Sequence, residues 1–335
     1  MNILIIKLGA IGDVIRTTSI LAGLKEKCPG SKIFWAAKKE SFDILKSNRL
    51  IEKIFEIENK DEIKKIYYGM VISLDDDGDA CALASSVKSK KIIGAYIKNG
   101  KKSYTEDSSL WFDMGLISRF GKKKADELKA KNKKAYQEIM YKILGLEYKK
   151  QEPILILNKE ELNFGKNFAK KNKIKNNELF IGINTGAGGR WQDKKLSIEE
   201  TAELIDKLDN KMPNARLLLF GGPEEKERNE RIKSLAKAKI IDSGCSNSLM
   251  EFASLVNLCN ILITSDSLAL HIGTALKKKI VCFFYPTSES EIEVYGRGIK
   301  IIGKGSSYCS YQSKCDDPPK WDIDEIVDAV KKLKE

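Results

Sequence analysis

Short apolar runs alternate with amphipathic helical stretches along most of this chain, the pattern of parallel sheets covered by helices on both faces. Asn2–Leu8, Lys32–Ala37, Met70–Leu74 and Lys91–Gly94 read as a first set of strands, and Phe180–Asn184, Arg216–Phe220, Ile261–Thr264 and Ile280–Tyr285 as a second. Between them the helical stretch Lys134–Leu144 and the polar stretch Glu147–Glu152 predict a boundary near residue 150. The expected fold is therefore α/β, with doubly wound domains at 1–150 and 151–335. A length of 335 residues exceeds what one core usually organises, and 42% hydrophobic residues suffice for two.

Ligands of open α/β sheets bind beyond the carboxyl ends of strands, and three strand-to-helix loops there carry distinctive residues. After Ile261–Thr264 come Asp266 and Ser267, then a helix with Leu268 and His271, the single histidine of the chain. Ser267 is a good N-cap, and the first backbone N–H groups behind it are donors at the positive end of a helix dipole, suited to a phosphate or diphosphate. Simple capping by Asp266 and Ser267 is the alternative. After the first strand come Gly9-Ala-Ile-Gly12-Asp13, then a helical pattern from Val14 to Lys27 with Arg16 in it. This is not the three-glycine dinucleotide fingerprint, and an acid at the turn repels pyrophosphate, so Asp13 reads as a base or as a cap. The third loop, Thr185-Gly-Ala-Gly188-Gly189-Arg190 to Lys194 and Lys195, precedes a capping-box pair, Ser197 and Glu200. Its glycines and cations suit a departing diphosphate.

Together these residues resemble glycosyltransferase family 9, the ADP-heptose:lipopolysaccharide heptosyltransferases. The resemblance rests on the Lys-Leu-Gly-Ala-Ile-Gly-Asp13 opening, the Gly-Ala-Gly loop followed by Lys-Lys-Leu-Ser, Phe220-Gly-Gly-Pro-Glu-Glu225 and Asp266-Ser267-x-x-x-His271, and it covers nearly the whole chain. It implies a GT-B fold: two Rossmann-like domains with an interdomain cleft, the first binding the acceptor and the second a nucleotide-sugar donor. It also implies an inverting, metal-independent transfer of a heptose or similar sugar from ADP-heptose or another NDP-sugar to a lipopolysaccharide core or related glycan. By position, Asp13 is then the general base and Lys194 holds the donor diphosphate. Glu225 takes the ribose hydroxyls, and Gly188, Gly189 and the turn Asp266, Ser267, Leu268 and His271 bind the rest of the donor. The chain departs from the family pattern at Leu268 and Tyr285, where glycine is usual, and at Leu196-Ser197, which replaces Trp-Pro. A nucleotide-sugar epimerase or hydrolase on the same scaffold, or a non-catalytic binding protein, stays open as an alternative.

The net charge of +12 sharpens the acceptor side. Residues 1–150 hold 30 Lys and Arg against 20 Asp and Glu, a net of +10, while the remainder holds 29 against 27. Such a half attracts an anionic glycolipid and the inner face of a membrane, with Gly12, Arg16, Lys98, Lys101 and Lys102 as candidate acceptor contacts. A solvated, lysine-rich surface is the competing explanation. No nucleic-acid motif accompanies the lysines. No segment is apolar for long enough to cross a bilayer and none reads as a signal peptide, so a cytoplasmic protein, with peripheral membrane contact, is expected. Seven cysteines at wide spacings do not form a disulfide pattern, and Cys309 and Cys315 lack a second ligand pair for zinc. Asp75-Asp-Asp-Gly-Asp79 has an Asp-x-Asp spacing, but acceptor contact or helix capping suits it better than a metal. No cofactor is expected beyond the nucleotide-sugar substrate.

Overall fold

The computed structural model describes residues 1–175, 177–189 and 192–334. It divides into two compact units, Met1–Ile156 with Ser290–Glu293, and Leu157–Glu289 with Val294–Glu335. The changeover thus comes at Ile156, and a four-residue segment far along the chain returns to unit 1.

In unit 1, strands β1 (Asn2–Ile6), β2 (Lys32–Ala37), β3 (Lys53–Glu56), β4 (Met70–Ser73), β5 (Ile92–Lys98) and β6 (Lys101–Tyr104) form one sheet in the order β3-β2-β1-β4-β5-β6. All pairings are parallel except the β5–β6 hairpin, whose turn, Asn99-Gly100, has φ of 50° and 73°. Leu4 and Ile6 pack with Phe34, Phe55 and Val71, and with Ile63 and Leu83 from the helices Lys60–Lys64 and Gly78–Ser86. Ile3 and Ile5, on the other side of the pleat, are equally buried. Burial on both faces is why this strand reads as a continuous apolar run rather than an alternation.

The helix expected from Val14 to Lys27 is two helices, Ile11–Thr17 and Ile20–Lys27. At the break, the hydroxyls of Thr17, Thr18 and Ser19 donate to the carbonyls of Asp13, Ile15 and Arg16. Three consecutive back-bonds of this kind compete with the helical ladder and bend the chain.

In unit 2, β7 (Leu179–Asn184), β8 (Ala215–Phe220), β9 (Ile241–Asp242), β10 (Ile261–Ser265), β11 (Lys279–Phe284) and β12 (Gly298–Ile302) form a parallel sheet in the order β12-β11-β10-β7-β8-β9. Ile181, Ile183, Leu219, Ile263 and Phe283 pack against Leu204 and Leu208 of the helix Ile198–Lys211 and Ile326 and Val330 of the helix Ile323–Lys334. Each such side chain, fully buried, contributes about 1.5–3 kcal/mol.

Both sheets reverse their winding direction once, between β1 and β4 in unit 1 and between β7 and β10 in unit 2. At such a switch point the loops leave the sheet in opposite directions and open a crevice. The glycine loop before Asp13 and the segment beginning at Asp75 flank the first; the loop after Asn184 and the Asp266 turn flank the second.

Candidate functional site

In unit 1 the site is built from charges that the end of β1 brings together. Asp13 lies in the first turn of the helix Ile11–Thr17, where Ala10 takes the N-cap position and Gly12 is buried. Its carboxylate, one-third exposed, is 2.9 Å from Arg16 Nη2 and 3.8 Å from Lys7 Nζ. Arg16 is almost fully covered: its guanidinium stacks 3.9 Å from the centre of the Tyr136 ring and approaches Glu291 at 4.0 Å. Lys7 Nζ is 2.6 Å from Asp75 Oδ1, and Asp75 Oδ2 accepts the backbone N–H groups of Leu8 and of Gly9, the latter at 2.8 Å. Burial lowers the affinity of Lys7 for its proton, but Asp13 and Asp75 more than offset this and raise it well above that of an ordinary lysine. Burial likewise raises the Tyr136 hydroxyl, against the nearby charges of Lys7 and Arg16.

The Asp75–Asp79 segment is used piecewise. Asp77 caps the helix Gly78–Ser86 by accepting from Asp79 N–H at 2.8 Å, as the capping alternative anticipates. Asp75 instead points back to the β1 loop. Lys98, Lys101 and Lys102 are exposed on the β5–β6 hairpin; Lys98 and Lys101 are cross-strand partners, and Lys102 Nζ donates to Asp76 O at 2.6 Å.

In unit 2, Lys194 is nearly buried and donates to Asp266 Oδ2 at 2.8 Å and to Asp266 O at 3.1 Å. Thr287 Oγ1 donates to the same carboxylate oxygen at 2.8 Å. Burial alone raises the Asp266 carboxyl; the charges of Lys194 and His271, with hydrogen bonds from Lys194 and Thr287, outweigh it and hold the group below the ordinary aspartate value. His271 lies in the helix Leu268–Ala275.

Ser267 occupies the N-cap position of that helix, but its hydroxyl does not cap it. It pairs with Thr264 Oγ1 at 3.0 Å and with Asn184 Nδ2 at 3.3 Å, and Asn184 also donates to Gly186 O at 2.7 Å. The turn is thereby tied to β7 and β10 rather than to its own helix. In the glycine loop, Gly188 has φ of 73°, a conformation that disfavours any side chain, and Gly189 is exposed beside it. Arg190, assigned to the same loop, lies outside the described residues. Glu225 is buried, accepting from Gly222 N–H at 3.1 Å and lying 3.5 Å from Lys195 Nζ. Tyr285, at the position where glycine is usual, is fully buried; its hydroxyl accepts from Ser307 N–H and donates to Asp317 O.

Asp75, read as an acceptor contact or a cap, binds the β1 loop, while Lys7 and Glu291 in unit 1 and Asn184 and Thr287 in unit 2 join their clusters without being anticipated. Lys7 alone carried a signal, as a cation inside an apolar run that the fold buries on both sides. The others depend on pairings across many residues. Among the described residues no group of three or more His, Cys, Asp or Glu is arranged to hold a metal ion. No helix among them is long and apolar enough to cross a membrane.

Solved structures share this architecture. A glycosyl transferase family 9 protein from Veillonella parvula superposes with a TM-score of 0.81 over 99% of this chain and 96% of its own, at 18% identity. Escherichia coli ADP-heptose lps heptosyltransferase II gives 0.68 over 99% and 98% at 16% identity, and E. coli heptosyltransferase WaaC with ADP gives 0.62 over 99% and 96% at 17%. At these identities the likeness establishes a GT-B, two-domain α/β fold. No curated protein sequence matches the chain. The family model for glycosyltransferase family 9 (heptosyltransferase) matches residues 60–320, a span that holds Glu225, the Lys194–Asp266 pair and both strands of the second switch point; the chain is a glycosyltransferase belonging to family 9, the heptosyltransferases.

Proposed function

We propose that this enzyme moves a heptose, or a closely related sugar, from an ADP-sugar to an anionic glycolipid of the lipopolysaccharide-core type, with inversion and without a metal. Unit 1, residues 1–150 in the main, serves the acceptor, and unit 2 the donor. The E. coli relatives named above are heptosyltransferases, one described with ADP, which favours this donor class.

The observation that carries the proposal is Asp13: a partly exposed carboxylate at the sheet's switch point, on a helix whose N-cap is another residue, flanked by two cations. Such a carboxylate is a weak base, which suits a transition state where the C1–O bond to the diphosphate is largely broken before the acceptor hydroxyl gives up its proton. The acceptor oxygen forms its bond to the anomeric carbon as that bond breaks; the proton goes to Asp13 and the electron pair leaves with the nucleoside diphosphate. Lys194 and the N–H groups behind Ser267 stabilise the leaving charge. Glu225, a buried acceptor, takes the ribose hydroxyls, and Gly188, Gly189, Leu268 and His271 line the donor. Arg16, engaged with Asp13 and Tyr136, acts on the acceptor through Asp13, while Lys98, Lys101 and Lys102 attract its phosphate or acid groups. Exposed Leu116 and Phe120, followed by the lysine-rich helix Lys122–Lys131, favour contact with the cytoplasmic face of an anionic membrane.

Mass spectrometry of reactions containing ADP-heptose, other NDP-sugars and a lipid-A-type acceptor tests this. A glycolipid product that requires both substrates and is lost in Asp13→Asn is expected. Donor conversion without acceptor, at the same rate, would instead identify an epimerase or hydrolase.

A further inference from the structure

The buried ion pair beneath Asp13 does more than the fold requires. Asp75 Oδ2 takes two consecutive backbone N–H groups, from Leu8 and Gly9, while its other oxygen takes Lys7 Nζ at 2.6 Å. A Cβ at Gly9 would fall 2.9 Å from both Asp75 Oδ1 and Lys7 Nζ, so the backbone passes directly over the pair. Pinning a loop needs only an acceptor, which a neutral amide supplies. Burying a full lysine and a full carboxylate is instead unfavourable before their attraction is counted. The extra consequence of charge here is that Lys7 is shared: 2.6 Å from Asp75 on one side and 3.8 Å from Asp13 on the other.

We propose that Lys7 and Asp75 are positioning residues for the transfer reaction, Asp75 anchoring the loop that carries Asp13 into place and Lys7 dividing its charge between the two carboxylates. The proposal rests on Asp13 being the base. Other charged or titratable groups facing this cluster are Arg16 on Asp13's own helix, Tyr136 from the helix Tyr136–Ile143, and Glu291, which faces Arg16. These groups, with Lys129 3.7 Å from Glu291, are the same in every Lys7 and Asp75 variant, so changes at Lys7 and Asp75 are read against a constant background.

The two substitutions act on Asp13 with opposite sign. Lys7→Met removes a cation from beside Asp13, so Asp13 holds its proton more tightly and the acidic limb of the kcat/KM–pH profile moves up by about one pH unit. Asp75→Asn removes the competitor for Lys7, whose charge then falls more fully on Asp13, and the limb moves down. A purely structural pair predicts otherwise: either substitution loosens the same loop, and both lower kcat without opposed displacements of the limb.

The experiment measures pH profiles with ADP-heptose and a lipid-A-type acceptor for the parent, Lys7→Met, Lys7→Gln, Asp75→Asn and Asp13→Asn, with melting curves to confirm folding. Opposed shifts, with ADP binding by calorimetry unchanged, support the proposal. If one variant does not fold, the other's direction still decides: an unmoved or upward limb in Asp75→Asn, or an unmoved or downward limb in a Lys7 variant, overturns it. Near-parent turnover in Asp13→Asn overturns the base assignment itself; inactivity of Asp13→Asn with unopposed shifts overturns this inference alone.

Discussion

Lys194 grips Asp266 at two points, the side-chain carboxylate at 2.8 Å and the backbone carbonyl at 3.1 Å, so that the loops after β7 and β10 are joined across 72 residues of sequence. A lysine held this way presents its charge at a fixed place without the entropy loss of ordering a free side chain on binding. Replacing it with Met should lower kcat by about 10²–10³-fold, the usual effect of removing one positioned charge from a developing anion. ADP binding, read by calorimetry, should weaken as well. Unaltered turnover in a folded Lys194→Met protein would remove Lys194 from the chemistry.

Asp266 also links the site to acid stability. Its folded-state affinity for protons is depressed by Lys194 and His271, against the effect of burial. A depressed carboxyl stabilises the fold above the unfolded value, 3.8, and that contribution disappears as pH falls through the folded value. Asp266→Asn should therefore be destabilised at neutral pH, by on the order of 3 kcal/mol because it leaves Lys194 buried without its counter-ion. The gap from the parent should begin to narrow as pH falls below about 4 and close only below the depressed folded value. Denaturant melts at pH 7 and pH 3 check this; a gap of equal size at both would show that charge is not its origin.

Exchanging Lys98, Lys101 and Lys102 for Gln should raise the acceptor KM and flatten its dependence on salt, because exposed charges act chiefly on encounter and are screened beyond about 8–10 Å. Donor KM should remain near the parent value. Loss of both in parallel would point to a disturbed hairpin, and no change at any ionic strength would make these lysines ordinary surface.

Activity should persist in excess EDTA, since Lys194 and a helix N-terminus are proposed to meet the diphosphate charge. Complete loss that magnesium restores would overturn the metal-independent mechanism.

The two sheets, the loops at the ends of β1, β7 and β10, and the placing of Asp13, Lys194 and Asp266 at those loops were legible in the order of residues. Continuous apolar runs bounded by glycine and polar turns are what a strand buried on both faces demands, and such runs are local. The short strands β3, β6, β9 and β12 were not legible, because edge strands need little apolar sequence and gain most of their stabilisation from a neighbour. The break at Thr17–Ser19 was missed for a related reason: apolar periodicity runs through it, and the hydroxyl back-bonds that bend it leave no mark on that pattern.

By itself, the sequence determined the α/β class, the family motifs and the excess of charge in the first half. Tertiary structure alone decided what each charge does. Asp75 became the anchor of a loop 66 residues away, Ser267 turned from its helix toward Thr264 and Asn184, and Glu291 joined Arg16 in unit 1. Local propensity acts over a few residues, whereas the partner of a buried charge is chosen by which strands lie side by side. That choice is made by the order of winding around β1 and β7, which no short stretch of sequence contains.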